Sequence, residues 1–139
     1  MSRRADRFRT TGGSDEREAR SLISPLMRFV LADEAARLRA ESAFVEGDRN
    51  ARTLAKSGDF RLVLVAFRAG ALFDEDDQRG SVALQVIDGR VDLRVGDDVI
   101  EVGAGDVAVV SSEHPWTAVA RADGLLLLHL AWPPDPGPV

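Results

Sequence analysis

The stretch from Ser81 to Trp116, SVALQVIDGRVDLRVGDDVIEVGAGDVAVVSSEHPW, constrains the fold of this chain most tightly. Apolar runs of four to six residues alternate with Asp88-Gly89, Gly96-Asp97-Asp98 and Gly103-Ala104-Gly105-Asp106. Val91, Leu93 and Val95 point one way and Asp92 and Arg94 the other, the period of a half-buried strand. Strands this short, recurring about every ten residues with Gly/Asp turns, specify an all-β sandwich or barrel. Strands do not alternate with helices, which argues against a doubly wound α/β fold. Asp88-Gly89 reads as a type I′ hairpin turn.

Flanking segments extend the same pattern. Thr53–Lys56, Phe60–Phe67, a segment from Leu72, Val82–Ile87, Val99–Val102, Val107–Val110, Trp116–Ala120 and Leu125–Trp132 are expected strands. Val107–Val110 is expected to be buried. Phe60–Phe67 (FRLVLVAF) is apolar on both faces, so one face must meet the lumen and the other a helix or second subunit. Residues 22–31 form a strand or extended lead-in. Asp33 is the expected N-cap of a helix over residues 34–42, with Ala35 and Leu38 on its buried face and Arg37 paired with Glu41. Residues 47–53, GDRNART, read as a polar turn in which Asn50 bridges a bend and its arginine neighbours pair with acids.

The expected domain division is a disordered arm over residues 1–20, a barrel with its helix over 21–132 and a Pro-rich tail over 133–139. A chain of 139 residues suits one such domain. It has no cysteine, which excludes disulfides and thiolate chemistry. The first twenty residues carry six Arg and four acids, +2, so the remainder of a chain of net charge −5 carries −7. That acidic body argues against nucleic acid as a partner. No apolar run is long enough to span a bilayer, and the Arg pair near the start is followed by the polar TTGGSDEREARS rather than a signal core. A cytoplasmic location, with no membrane partner, is expected.

Three pieces of the chain resemble a known family, the small single-domain cupins. Gly70 with Asp76 stands where their first motif opens. Leu84-Gln85-Val86-Ile87-Asp88-Gly89-Arg90-Val91 resembles their central strand and turn, and Val102-Gly103-Ala104-Gly105-Asp106 the opening of their second motif. Leu38–Glu41 and Gly47–Leu54 resemble the N-terminal part of a subgroup of short, mostly uncharacterised bacterial cupins. The resemblance covers about residues 26–132. It implies a cupin-type double-stranded β-helix, a jelly-roll barrel, with a short N-terminal helix.

The resemblance also implies a metal centre of two or three His and one Glu, and here the sequence departs from it. Asp76 stands at the first-motif His position and Trp116 at the second. His114 and His129 are the only histidines in the chain. Neutral imidazole is the ligand that suits Fe, Ni, Cu and Zn, and a catalytic site needs several converging. Asp76, Gln85, His114 and His129 form the candidate set for an atypical divalent transition-metal site. Asp76, Gln85, Trp116 and His129 are the candidate ligand-pocket residues. Gln85, a polar residue in an apolar strand, is expected to face the lumen.

Each candidate has a plainer reading. Gln85 bonds a neighbouring strand, Asp74–Asp77 is a solvated acidic loop, and Trp116 and Trp132 pack. His129, on the face of Leu127 and Ala131, is a core or interface histidine with one satisfied nitrogen. His114 near Ser111 and Ser112 does not make a triad, because no nucleophile elbow is present. The leading expectation is a cupin-fold protein without the usual His metal site and without cofactor: a non-catalytic small-molecule-binding or structural module. The alternative is a metal-dependent enzyme of dioxygenase or isomerase type acting on a small organic acid, and a third is a protein-interaction role for the arm and helix. A homodimer through residues 62–67 and 125–130 is expected in each case.

Overall fold

The computed structural model describes residues 25–75, 80–111 and 114–131. The expected arm, the tail with Trp132, and Asp76 and Asp77 of the acidic loop lie outside these residues. Among the described residues, two helices, α1 (Leu31–Ala40) and α2 (Ser42–Val45), precede nine strands. These are β1 (Arg49–Ser57), β2 (Phe60–Phe67), β3 (Leu72–Glu75), β4 (Val82–Asp88), β5 (Arg90–Val95), β6 (Asp98–Gly103), β7 (Val107–Val110), β8 (Trp116–Ala120) and β9 (Gly124–Ala131). The strands form two antiparallel sheets, ordered β1-β2-β9-β4-β7 and β3-β8-β5-β6.

Alternation assigns the faces. Val63, Val65 and Phe67 of β2, Val82, Leu84 and Val86 of β4, and Leu126, Leu128 and Leu130 of β9 face the second sheet. They meet Phe73, Val91, Leu93, Val102, Trp116 and Ala118 in one buried cluster. On the outside of the second sheet, Arg90 pairs with Glu101 at 3.1 Å and Arg121 with Asp92 at 2.7 Å. The polar set of the alternating strands thus lies in water, where such pairs need no burial.

The outer face of the five-stranded sheet is also apolar, and the chain covers much of it itself. Ala35 and Leu38 of α1 and Phe44 of α2 pack on Leu54, Leu64, Ala66, Leu125 and Leu127. Of the two covers expected for this face, a helix or a second subunit, the helix takes residues 64–66 and 125–127. Beneath it lies a buried polar pin. Asn50 Nδ2 donates to Leu38 O at 2.9 Å, at the C-terminal end of α1, and to Glu41 Oε1 at 2.7 Å. Arg52 reaches Glu41 at 3.5 Å and Glu34 at 3.8 Å.

Several local expectations are corrected. Residues 49–53 are not a turn but the first half of β1, paired with β2 from Arg49↔Phe67. Their polar side chains misled because Asn50 and Arg52 serve the underside of α1 rather than solvent. Helix α1 begins at Leu31, since the amides of Asp33 and Glu34 both donate to Val30 O at 3.1 Å. Asp33 is thus a first-turn acid, not the cap. Arg37 pairs with Glu34 at 3.1 Å, while Glu41 turns to the β1 side chains.

Asp88-Gly89 does not close a hairpin, because β4 and β5 belong to different sheets. The pair carries the chain across the sandwich at a point of close backbone approach. Gly89 has φ +88°, and a Cβ there would lie 2.5 Å from Asp123 O. Val107–Val110 is not buried throughout either: Val107 is 58% and Val109 70% exposed. Among the described residues β7 pairs only with β4 and nothing packs over the outward half of its alternation. No helix among the described residues is long and apolar enough to cross a membrane.

Candidate functional site

The bulk filling the sandwich is unevenly distributed. Phe67, Phe73 and Trp116 are packed into one half, with the two phenyl rings edge to face at 5.6 Å. Where β6 and β7, the edge strands of the two sheets, approach each other, the inward side chains are smaller: Leu93, Val95, Val102, Ala108 and Val110. Among the described residues no strand joins these edges. The result is a cleft of about 800 Å³ opening between β6 and β7.

Its floor is hydrocarbon from those five residues and Ile100. Its rim is polar and, among the described residues, carries Asp98, Glu101, Asp106, Ser111 and His114 but no Arg or Lys. At one end Asp106 Oδ2 accepts the Gly103 amide at 3.0 Å, fixing the turn that has Gly105 at φ +91°. At the other, Ser111 Oγ and His114 Nδ1 lie 2.9 Å apart. An apolar floor with a few polar groups around its mouth is the usual composition of a small-molecule site.

Of the expected pocket residues, Asp76 lies outside the described residues, and Gln85, Trp116 and His129 do not line the cleft. Trp116 is lumen-facing and buried, beside Val95 in the strand register, where it fills space. Gln85 does not face the lumen: it lies between inward Leu84 and Val86, on the outer face of β4. His129 lies on the same outer face, and its Nε2 meets Gln85 Oε1 at 3.0 Å. The two satisfy each other in a half-buried position, and desolvation lowers the His129 pKa below its ordinary value. His114 is on the cleft rim, away from both. Of the candidate set for an atypical metal site, Gln85 and His129 thus meet and His114 lies apart, with Asp76 outside the described residues; among the described residues no three His, Cys, Asp or Glu side chains converge. Trp116, at the second-motif position, offers an indole N–H and bulk rather than a lone pair for a transition metal.

Sequence reasoning missed the cleft itself. One signal was present: every large aromatic ring falls outside β5, β6 and β7, so these strands cannot fill their share of the lumen. Which edges adjoin that deficit is a matter of strand order, which local pattern does not encode.

No protein-family model matches the sequence, and no curated protein does. Solved structures do. A cupin superfamily protein from Desulfitobacterium hafniense DCB-2 is 18% identical over 78% of this chain and 94% of that one, with a TM-score of 0.63. KdgF from Halomonas sp. is 21% identical over 63% of this chain and 82% of its own, with a TM-score of 0.57. A mutant of salicylate 1,2-dioxygenase from Pseudoaminobacter salicylatoxidans is 19% identical over 76% of this chain but only 34% of that enzyme, with a TM-score of 0.63. Such likeness speaks for architecture and not for activity. With its paired jelly-roll sheets and leading helix, this chain has the fold of the small single-domain cupins.

Proposed function

We propose that this protein is a non-catalytic binding module that takes a small, largely apolar molecule in the cleft between β6 and β7. One observation carries the reading: the half of the lumen holding Trp116 is packed, while the other half opens as a hydrocarbon-floored cleft of about 800 Å³. A molecule bound there removes apolar surface from water on Leu93, Val95, Ile100, Val102 and Val110. Burial of this kind contributes roughly 25 cal/mol per Å² before the costs of association.

The test is methyl NMR with small apolar alcohols as probes. Shifts confined to Val95, Ile100, Val102 and Val110, abolished in a folded Ala108→Phe variant that fills the floor, support the reading. Perturbation spread over the outer faces, or none, refutes it. Elemental analysis after exposure to divalent transition metals addresses the alternative: near-stoichiometric metal lost in His114→Ala or Asp76→Ala would replace the binding module with a metal-dependent enzyme. Absence of metal would leave binding as the function.

The homodimer expected through residues 62–67 and 125–130 is placed, in our reading, on the outer stripe beyond α1 that includes Phe60, Ala83, Val107 and Val109, because exposed apolar side chains lie there. Sedimentation of wild type against Ala83→Glu tests it. A dimer that dissociates in the variant supports this surface, and a monomeric wild type removes the proposal.

A further inference from the structure

The cleft also has a sign. We infer that, if the binding reading above holds, the cleft prefers small amphipathic amines, an ammonium head on an apolar body, over carboxylates of the same body.

The cleft makes the site, and the acids decide its selectivity. Among the described residues its lining has three carboxylates and no Arg or Lys. Glu101 is engaged by Arg90 at 3.1 Å on the outer face. Asp98 and Asp106 have no ion-pair partner among the described residues. Asp98 stands opposite Val95 in the β5–β6 register, on the strand face that looks into the lumen. Asp106 stands in the turn at the cleft end, held by the Gly103 amide. A ligand with its body on Val95, Val102 and Val110 places its head among these groups.

An ammonium head there gains from carboxylates across a partly apolar wall. A carboxylate head meets like charge with no cation to offset it. The small organic acid expected for the metal-enzyme alternative is thus the chemistry this lining disfavours. A built carboxylate site calls for an Arg fork, and none lines the cleft among the described residues.

The experiment compares hexylamine, 1-hexanol and hexanoate, which share one apolar body, by methyl NMR titration of the full chain. The expected order is hexylamine tighter than hexanol and hexanol tighter than hexanoate, with an amine-to-acid ratio on the order of tenfold at low salt, as for one or two partly screened ion pairs. The ratio shrinks as ionic strength rises. In the double variant Asp98→Asn/Asp106→Asn it falls toward one; the side-chain carbonyl introduced at the second position still accepts the Gly103 amide, so the turn is kept.

Asp92→Asn is the control for the overall negative charge, since Asp92 lies on the outer face paired with Arg121. It should leave the ratio where it was. Hexanoate binding as tightly as hexylamine, or an equal fall of the ratio in Asp92→Asn, overturns the charge inference while the cleft survives through hexanol. Failure of all three probes to shift the cleft methyls overturns the binding reading with it.

Discussion

Asn50→Ala should cost about 3 kcal/mol of stability, although Asn50 touches no part of the cleft. Its side chain is fully buried and donates both to Leu38 O at 2.9 Å and to Glu41 Oε1 at 2.7 Å. The Leu38 carbonyl lies at a helix end and would keep only the longer bond from the Glu41 amide at 3.3 Å, so losing the Asn50 donor costs about 1–1.5 kcal/mol. The Glu41 carboxylate is about one third exposed and partly rehydrates, so the lower end of the charged range, about 1.5 kcal/mol, applies. For a domain of this size, a loss of about 3 kcal/mol lowers Tm by about 10 °C.

Thermal and urea unfolding followed by circular dichroism measures the loss. A double-mutant cycle with Glu41→Ala isolates the pair, with an expected coupling of about 1 kcal/mol. Hydrogen exchange should show α1 losing protection before the strands do, because the pin joins α1 to β1 rather than sheet to sheet. A loss below about 1 kcal/mol, or no coupling to Glu41, would refute the claim that this buried polar pair fastens the helix to the barrel.

Other outcomes follow from single residues. His129 is held below its ordinary pKa by desolvation, so the unfolded chain takes up its proton first. Stability should therefore fall as pH drops below about 6.5 and level off below the folded pKa; His129→Gln should flatten that part of the pH–stability curve, and an unchanged slope would disprove the assignment. Gly124→Ala places a Cβ against Asp88 O and 2.7 Å from Phe67 Cζ, so it should cost about 3 kcal/mol; a melt within about 2 °C of wild type, roughly the shift of half a kcal/mol, would contradict the close approach. Trp116→Ala should destabilise by about 3–5 kcal/mol and extend the cleft into the packed half of the lumen, read as tighter binding of a bulkier alcohol. If the variant melts like wild type, Trp116 does not fill the lumen.

Local rules were enough to determine the class and much of the layout. Period-2 alternation and Gly/Asp turns assigned β2, β7 and β8 at their observed bounds, because side-chain period and turn chemistry are properties of neighbouring residues. The same alternation correctly put His129 with Leu127. It could not say which of the two faces is the lumen, since both faces of β9 are apolar, one under α1 and one inside the sandwich.

That choice belongs to tertiary structure, and it decided the site. Gln85, read along the chain, looked like a lumen group in need of a partner and His129 like a core or interface histidine with one satisfied nitrogen; the fold turned both outward and made them partners of each other. Asp88-Gly89 has the residues of a hairpin, yet whether the next strand pairs with the last or crosses to the other sheet depends on contacts with Asp123 and Gly124, far along the chain. The cleft arises the same way. Small residues on β5, β6 and β7 are visible in the sequence, but they leave a cavity only because strand order sets two edges, unpaired among the described residues, side by side, opposite the half that Trp116 fills. Sequence alone determined which residues make strands and turns, through local sterics and periodicity. The assembled sheets decided which side chains face inward, where the packing runs short, and hence where a ligand can enter.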